Sequence, residues 1–473
     1  MRMVVGFWER PPKADPAGSP AAEATVSPAT GLPGPRHDAR TGEQREKRML
    51  ETFERLESNV RSYIRSFPVC FDVARGCHLY AEDGTEYLDF FAGAGVLNYG
   101  HNHPRLKQAL FEYMERDGIA HSLDMASTSK GAFLECFHQR ILAPRGLGEY
   151  RVQFPGPTGT NAVEAALKLA RKVTGRNPIV SFTNAFHGMT LGALAVTGSA
   201  FKRAGAGIPL VHGTAMPFDG YFGEEVDTIE YLRRFLEDQS SGLDLPAAIV
   251  VETIQAEGGI NLARFEWLQR LEALARDFDI LFVVDDIQVG NGRTGPFFSF
   301  ERAGVRPDII TLSKSLSGFG QPLSITLFRD DLDVWEPGEH NGTFRGNNLG
   351  FVSATAALEA YWKDETLTRH VDAMGSIVES SLAKMVAAWP GAEASTRGRG
   401  LIHGIDLPEE GRAKRICKAA FERGLVTETS GPSGNVIKIM PPLVIDEELL
   451  REGLGRLAEA FESVMKAEGV SAA

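Results

Sequence analysis

From about Gly100 to Arg329, short apolar runs alternate with amphipathic stretches, and that alternation restricts the chain to α/β architectures. The apolar runs are Ile179–Phe182, Ala248–Val251, Ile280–Val284, Ile309–Leu312 and Leu323–Phe328. Most are apolar on both faces, which predicts strands of a buried, mainly parallel sheet. Asn161–Val173 and Phe265–Phe278 carry apolar residues at helical spacing and predict helices against that sheet. From Arg75 to Phe91 two β-type runs flank Asp83-Gly84, which predicts a hairpin. After about Asn347 the pattern is helical, with a late strand at Asn435–Met440 closed by Pro441-Pro442.

These signals divide the chain into a flexible tail over residues 1–45, which is rich in Pro, Ala, Gly and charge, and two folded parts. Residues 100–335 form the larger part. Residues 46–99 and 336–473, from the two chain ends, pack together as a smaller α+β one.

The 50 basic against 62 acidic side chains give a formal charge of −12, which argues against nucleic acid or an anionic membrane as the main partner. No apolar run approaches the roughly 18 residues that a spanning helix needs, and the start is too short for a signal peptide, so a cytoplasmic location is expected. The four cysteines form no CxxC pair and read as ordinary thiols.

Four segments carry chemistry. Leu281-Phe282-Val283-Val284-Asp285-Asp286-Ile287-Gln288 puts two acids at the carboxyl end of a buried strand, where open α/β sheets bind ligands. A buried carboxylate needs a positive partner. Taken alone, either acid is more simply a helix cap or a loop acid. Ile309-Ile310-Thr311-Leu312-Ser313-Lys314 places a lysine just after an apolar strand. In a dry cleft such an amine loses its proton more readily and attacks aldehydes; on a surface it is merely solvated.

Pro155-Gly156-Pro157-Thr158-Gly159-Thr160-Asn161 is a tight turn opening a helix, equally suited to capping and to holding an anion on backbone N–H groups. Phe186-His187 follows a strand and offers rings that stack on a planar ligand, although a core aromatic is commoner.

Two further patterns carry less. Gly290-Asn291-Gly292-Arg293-Thr294-Gly295 matches GxGxxG, but Pro296-Phe297-Phe298 follows where a dinucleotide site requires a helix. His101-Asn102-His103-Pro104 lacks the accompanying ligands of a metal site and reads as a turn.

Together, Asp285-Asp286-Ile287-Gln288, Thr311-Leu312-Ser313-Lys314 and Phe186-His187-Gly188 resemble the class III (ω-amino acid) aminotransferases, from about Ser62 to Leu449. More narrowly, three stretches are similar to the L-2,4-diaminobutyrate aminotransferases, the branch that opens ectoine synthesis. They are Phe90-Phe91-Ala92-Gly93-Ala94-Gly95, Gln153-Phe154-Pro155-Gly156-Pro157-Thr158-Gly159-Thr160-Asn161, and Gly338 to Asn348 with Thr343 and Arg345 inside it.

The resemblance implies the fold of type I pyridoxal-5′-phosphate (PLP) dependent transferases. It also implies transfer of the amino group of L-glutamate to L-aspartate 4-semialdehyde in two half-reactions. It implies Lys314 as the Schiff-base lysine, Asp285 as the acid facing the pyridine nitrogen, and Gln288 near the ring hydroxyl. Phe186 is implied as the stacking ring with His187 beside it, Gly159 and Thr160 as the phosphate cradle, and Glu252 as a further cofactor contact. Thr343 matches a threonine reaching the phosphate from a neighbouring subunit, which implies a homodimer or a dimer of dimers.

Glu257 matches a glutamate switch whose usual partner is an arginine before a Pro-Pro pair. Here Lys438 is nearest, and a lysine lacks the planar fork of an arginine. Arg345 is therefore an additional candidate for holding the substrate carboxylate. An aminotransferase for another ω-amine, an aminomutase of the same fold, and a catalytically silent homologue are the alternatives.

Overall fold

The computed structural model describes residues 42–473, with side chains from Met49 onward. Residues 1–41, most of the expected tail, lie outside the described residues. The last residues of that stretch, 42–45, instead begin a helix, Gly42–Leu56.

Seven strands form the central sheet in the spatial order Arg151–Gln153, Ile325–Phe328, Ile309–Leu312, Leu281–Asp285, Ala248–Val251, Ile179–Phe182, Gly213–Met216. Neighbours from Ile309–Leu312 to Gly213–Met216 pair in parallel, with Asp285 opposite Thr311 and Val284 opposite Val251. Every residue of the four middle strands is buried. This explains their continuous apolar runs, since each buried Val or Ile contributes roughly 1.5–3 kcal/mol.

Ile325–Phe328 runs antiparallel to both its neighbours. Burial on both faces gives it the same composition as its parallel neighbours, so its direction is not written in its residues. The edge strands Arg151–Gln153 and Gly213–Met216 carry no apolar run and go unmarked by composition.

The helices expected at Asn161–Val173 and Phe265–Phe278 span Gly159–Thr174 and Phe265–Asp277. The expected hairpin forms between His78–Ala81 and Glu86–Asp89, with Tyr80 opposite Glu86. It belongs to a four-stranded sheet that Leu425–Val426 joins in parallel, Leu425 opposite Leu88, so the two chain ends share one sheet. A second four-stranded sheet holds Ser395–Arg399, Ile402–Asp406, Val436–Ile439 and Glu428–Ser430. It is tied back to the N-terminal segment where Met440 N donates to Phe90 O at 2.9 Å. Among the described residues, no helix is long and apolar enough to cross a membrane.

Candidate active site

Four adjacent strands of the central sheet end at one cavity of about 290 Å³, each delivering a candidate side chain to its lining. Leu312 is followed closely by Lys314, Asp285 ends its own strand with Gln288 just beyond, Val251 precedes Glu252, and Phe182 leads to Phe186 and His187. This is the carboxyl edge of the parallel strands, the ligand-binding edge of open α/β sheets. The helix starting at Gly159 closes another wall with Gly159 and Thr160.

Lys314 donates from Nζ to the Ala94 carbonyl at 2.9 Å. Its backbone adopts a left-handed φ of 51°, a strain of order 1–3 kcal/mol that the surrounding packing must hold. Desolvation lowers its pKa to about 8, helped by the charge of Lys438 and opposed by Glu257. The amine is thus brought near the point where it acts as a nucleophile or base at neutral pH.

Asp285 is buried and held from two sides. His187 Nδ1 lies 2.7 Å from its Oδ2, while Thr311 Oγ1 and the Ile287 N–H donate to its Oδ1 at 3.1 and 3.2 Å. Burial alone disfavours the imidazolium of His187, but the bond to Asp285 and the charges of Asp285 and Glu252 outweigh it and raise the His187 pKa. His187 Nε2 is buried without a hydrogen-bond partner. Glu252 accepts the Phe186 N–H at 2.9 Å, and desolvation, with Asp285 adding to it, pushes its carboxyl up to about 8. The Phe186 ring carries the Lys202 ammonium 4.0 Å from its centroid.

The neighbouring Asp286 turns away from this cavity. It accepts the hydroxyl and the N–H of Ser299, and burial raises its pKa to about 7. Of the two acids in the Asp-Asp pair, only Asp285 faces the cavity. Residues of the two patterns discounted in the sequence make internal hydrogen bonds. Arg293 of the glycine-rich stretch donates to Asn98 Oδ1, while His101 meets Asp89 and His103 meets Tyr361.

A second buried cluster adjoins the cavity through Gln288. Its Nε2 donates both to Ala94 O and to Glu257 Oε1, each at 3.0 Å. Glu257 Oε1 also takes Lys438 Nζ at 2.8 Å, so the expected Glu257–Lys438 pair forms. Burial opposes its charge, yet Lys438 holds the Glu257 carboxyl well below the usual carboxylate range.

Sequence reasoning missed Glu428, whose Oε1 lies 2.6 Å from the same ammonium. Strand pairing puts Glu428 directly opposite Lys438. The signal was the loop from Gly431 to Asn435: only with Asn435 counted in the loop rather than in the strand does counting outward give this pairing.

Thr343 and Arg345 are not brought to the cavity of their own chain. They sit in a short 3-10 turn, where Arg345 donates to Asn341 Oδ1 at 2.9 Å.

These residues fit pyridoxal phosphate. Tight glycine positions shape the wall, since a Cβ on Gly188 would meet Thr160 Oγ1 at 2.3 Å and one on Gly159 would meet Ile287 at 3.0 Å. A buried acid, an amine of lowered pKa and a helix start converge on one cavity, as a phosphorylated pyridine aldehyde requires.

The aminotransferase class-III family model matches residues 60–461. A diaminobutyrate–2-oxoglutarate transaminase of Streptomyces anulatus is 61% identical over 409 residues, 86% of this chain and 97% of that protein. One from Wolinella succinogenes is 58% identical over 417 residues, 88% of this chain and 97% of that protein. Among solved structures, the ornithine aminotransferase of Toxoplasma gondii, with PLP at partial occupancy in its active site, aligns with a TM-score of 0.78 at 27% identity. That alignment covers 89% of this chain and 95% of that one.

Proposed function

This chain belongs to the class-III aminotransferases and uses pyridoxal phosphate, and from that premise we propose that it transfers the amino group of L-glutamate to L-aspartate 4-semialdehyde, giving 2-oxoglutarate and L-2,4-diaminobutyrate. The observation that carries the reading is the convergence of Lys314 and Asp285 on one cavity, with the Glu257–Lys438 pair beside it. The substrate assignment is supported by relatives bearing that activity at up to 61% identity over most of both chains.

When bound, the cofactor supplies an aldehyde that accepts and returns the amino group, and a ring that draws electrons from the breaking Cα–H bond. The chain supplies the rest. Lys314 Nζ takes and holds the proton from the donor's Cα. Asp285, fixed by His187, Thr311 and the Ile287 N–H, would be the acid that faces the ring nitrogen. Phe186 presents a flat face, and Gly159 and Thr160 line the phosphate end of the cavity.

The donor has a carboxylate on the reacting carbon and the acceptor has none there, so one site must offer a positive charge in one half-reaction and hide it in the other. Lys438 offers it when Glu257 swings aside and is hidden when Glu257 returns. Thr343 acts across a homodimer interface, on the phosphate of the neighbouring subunit. A panel of amino acceptors with glutamate as donor tests the assignment. Aspartate semialdehyde should give the highest kcat/KM, with 2-oxoglutarate formed mole for mole. Turnover without 2-oxoglutarate would instead mark an intramolecular aminomutase.

A further inference from the structure

We infer that Glu428 is a specificity-determining residue that sets the charge of the subsite for the donor's α-carboxylate. The inference rests on glutamate being the donor. Lys438 is completely buried, and two carboxylates lie on its one ammonium, Glu257 at 2.8 Å and Glu428 at 2.6 Å. With both acids ionised the cluster carries one negative charge in excess, in surroundings that oppose it.

A donor carboxylate that takes the place of Glu257 on Lys438 then shares that nitrogen with Glu428. If Glu428 is ionised, Lys438 is already neutralised and the incoming carboxylate is repelled. If Glu428 carries a proton, Lys438 remains free to pair with the donor. Glu428 therefore gates the donor and leaves the acceptor, whose reacting carbon bears no charge, largely indifferent.

The groups facing Glu428 agree on where that proton sits. Lys438 faces it across the strand pair and Glu257 approaches from the loop after Ile254–Gln255. Tyr63, on the short helix Tyr63–Ser66, lies within electrostatic reach of its carboxyl. Cys417 lies on the helix Arg412–Phe421, and Lys314 is within electrostatic reach. Burial, and then the charge of Glu257, raises the Glu428 pKa against the pull of Lys438, whereas Glu257 is held low. Of the two acids, Glu428 is the one whose surroundings favour taking up a proton.

The test is the pH dependence of KM in the holoenzyme for glutamate and, separately, for the acceptor. In the unmodified chain KM for glutamate should rise about tenfold per pH unit above the Glu428 ionisation, while KM for the acceptor moves less than about threefold. Glu428→Gln, which mimics the protonated acid, should abolish that rise. Glu428→Asp, which keeps an ionisable group, should restore it.

The absorption band of the bound cofactor reports whether each variant is folded and loaded. Should Glu428→Gln fail to load, the inference stands or falls on Glu428→Asp shifting the midpoint of the glutamate profile. A rise that persists in Glu428→Gln, equal changes in both KM values, or an unmoved midpoint in Glu428→Asp overturns it. No turnover of glutamate by the unmodified chain overturns the donor assignment, and the inference with it.

Discussion

Two lysines lie within one electrostatic neighbourhood of this molecule and are driven in opposite directions. Among the described residues, the Lys314 amine hydrogen-bonds only the Ala94 carbonyl, and desolvation brings its pKa down to about 8. Lys438 is more deeply buried, yet Glu257 and Glu428 outweigh the cost of burial and raise its pKa above the ordinary lysine value. Burial alone therefore does not make an amine reactive. What decides is whether a carboxylate shares the site. One lysine is left poorly paired, as the proposed chemistry requires. The other is paired twice over, as suits its proposed part as a fixed charge.

The largest expected effect breaks the pair at its reactive member. Lys314→Ala should lower kcat for glutamate by about 10⁴-fold, measured as a single half-reaction by stopped-flow absorbance. If instead Lys438→Ala caused that loss and Lys314→Ala did not, the two roles would be reversed.

Next comes stability. Lys438→Met leaves Glu257 and Glu428 buried without their cation and should cost about 3–5 kcal/mol in denaturant unfolding, where Lys314→Met should cost far less. The signs keep the contribution of the pair in place around neutral pH. The lowered Glu257 pKa gives stability that is lost only as pH falls through its folded value, and the raised Lys438 pKa gives stability lost only as pH rises through its own. Equal destabilisation by the two substitutions would erase the distinction.

The smallest effect is a matter of labelling. In protein stripped of cofactor, trapping of an aldehyde on Lys314 by borohydride should increase about tenfold between pH 7 and pH 9, as the amine titrates through about 8. Lys438 should stay unlabelled throughout, and peptide mass spectrometry reads both. A flat profile at Lys314 would mean that its proton is not loosened.

The sequence makes the first lysine far easier to recognise than the second environment. Lys314 follows an apolar strand and Asp285 ends another, so neighbouring strands with a common carboxyl edge bring them together almost by construction. Lys438, in Val436-Ile437-Lys438-Ile439, announces only that a buried cation needs a partner. Glu257 is close to 180 residues away in the chain, and the family resemblance rather than any local pattern supplies it. Glu428 becomes legible by hairpin counting only once Asn435 is given to the loop rather than to the strand. The antiparallel course of Ile325–Phe328 left no trace in composition, because two buried faces demand the same residues whichever way a strand runs. The positions of Thr343 and Arg345, outside the cavity of their own chain, likewise follow from the path of the backbone and not from residue type.

One carbonyl joins these two worlds. Ala94, itself held with Gly93 in left-handed backbone geometry, receives Lys314 Nζ on one side and Gln288 Nε2 on the other, and the same Nε2 grips Glu257. A single peptide oxygen therefore ties the contact of Lys314 to the amide that holds Glu257, so the two lysine environments share one hydrogen-bonded chain.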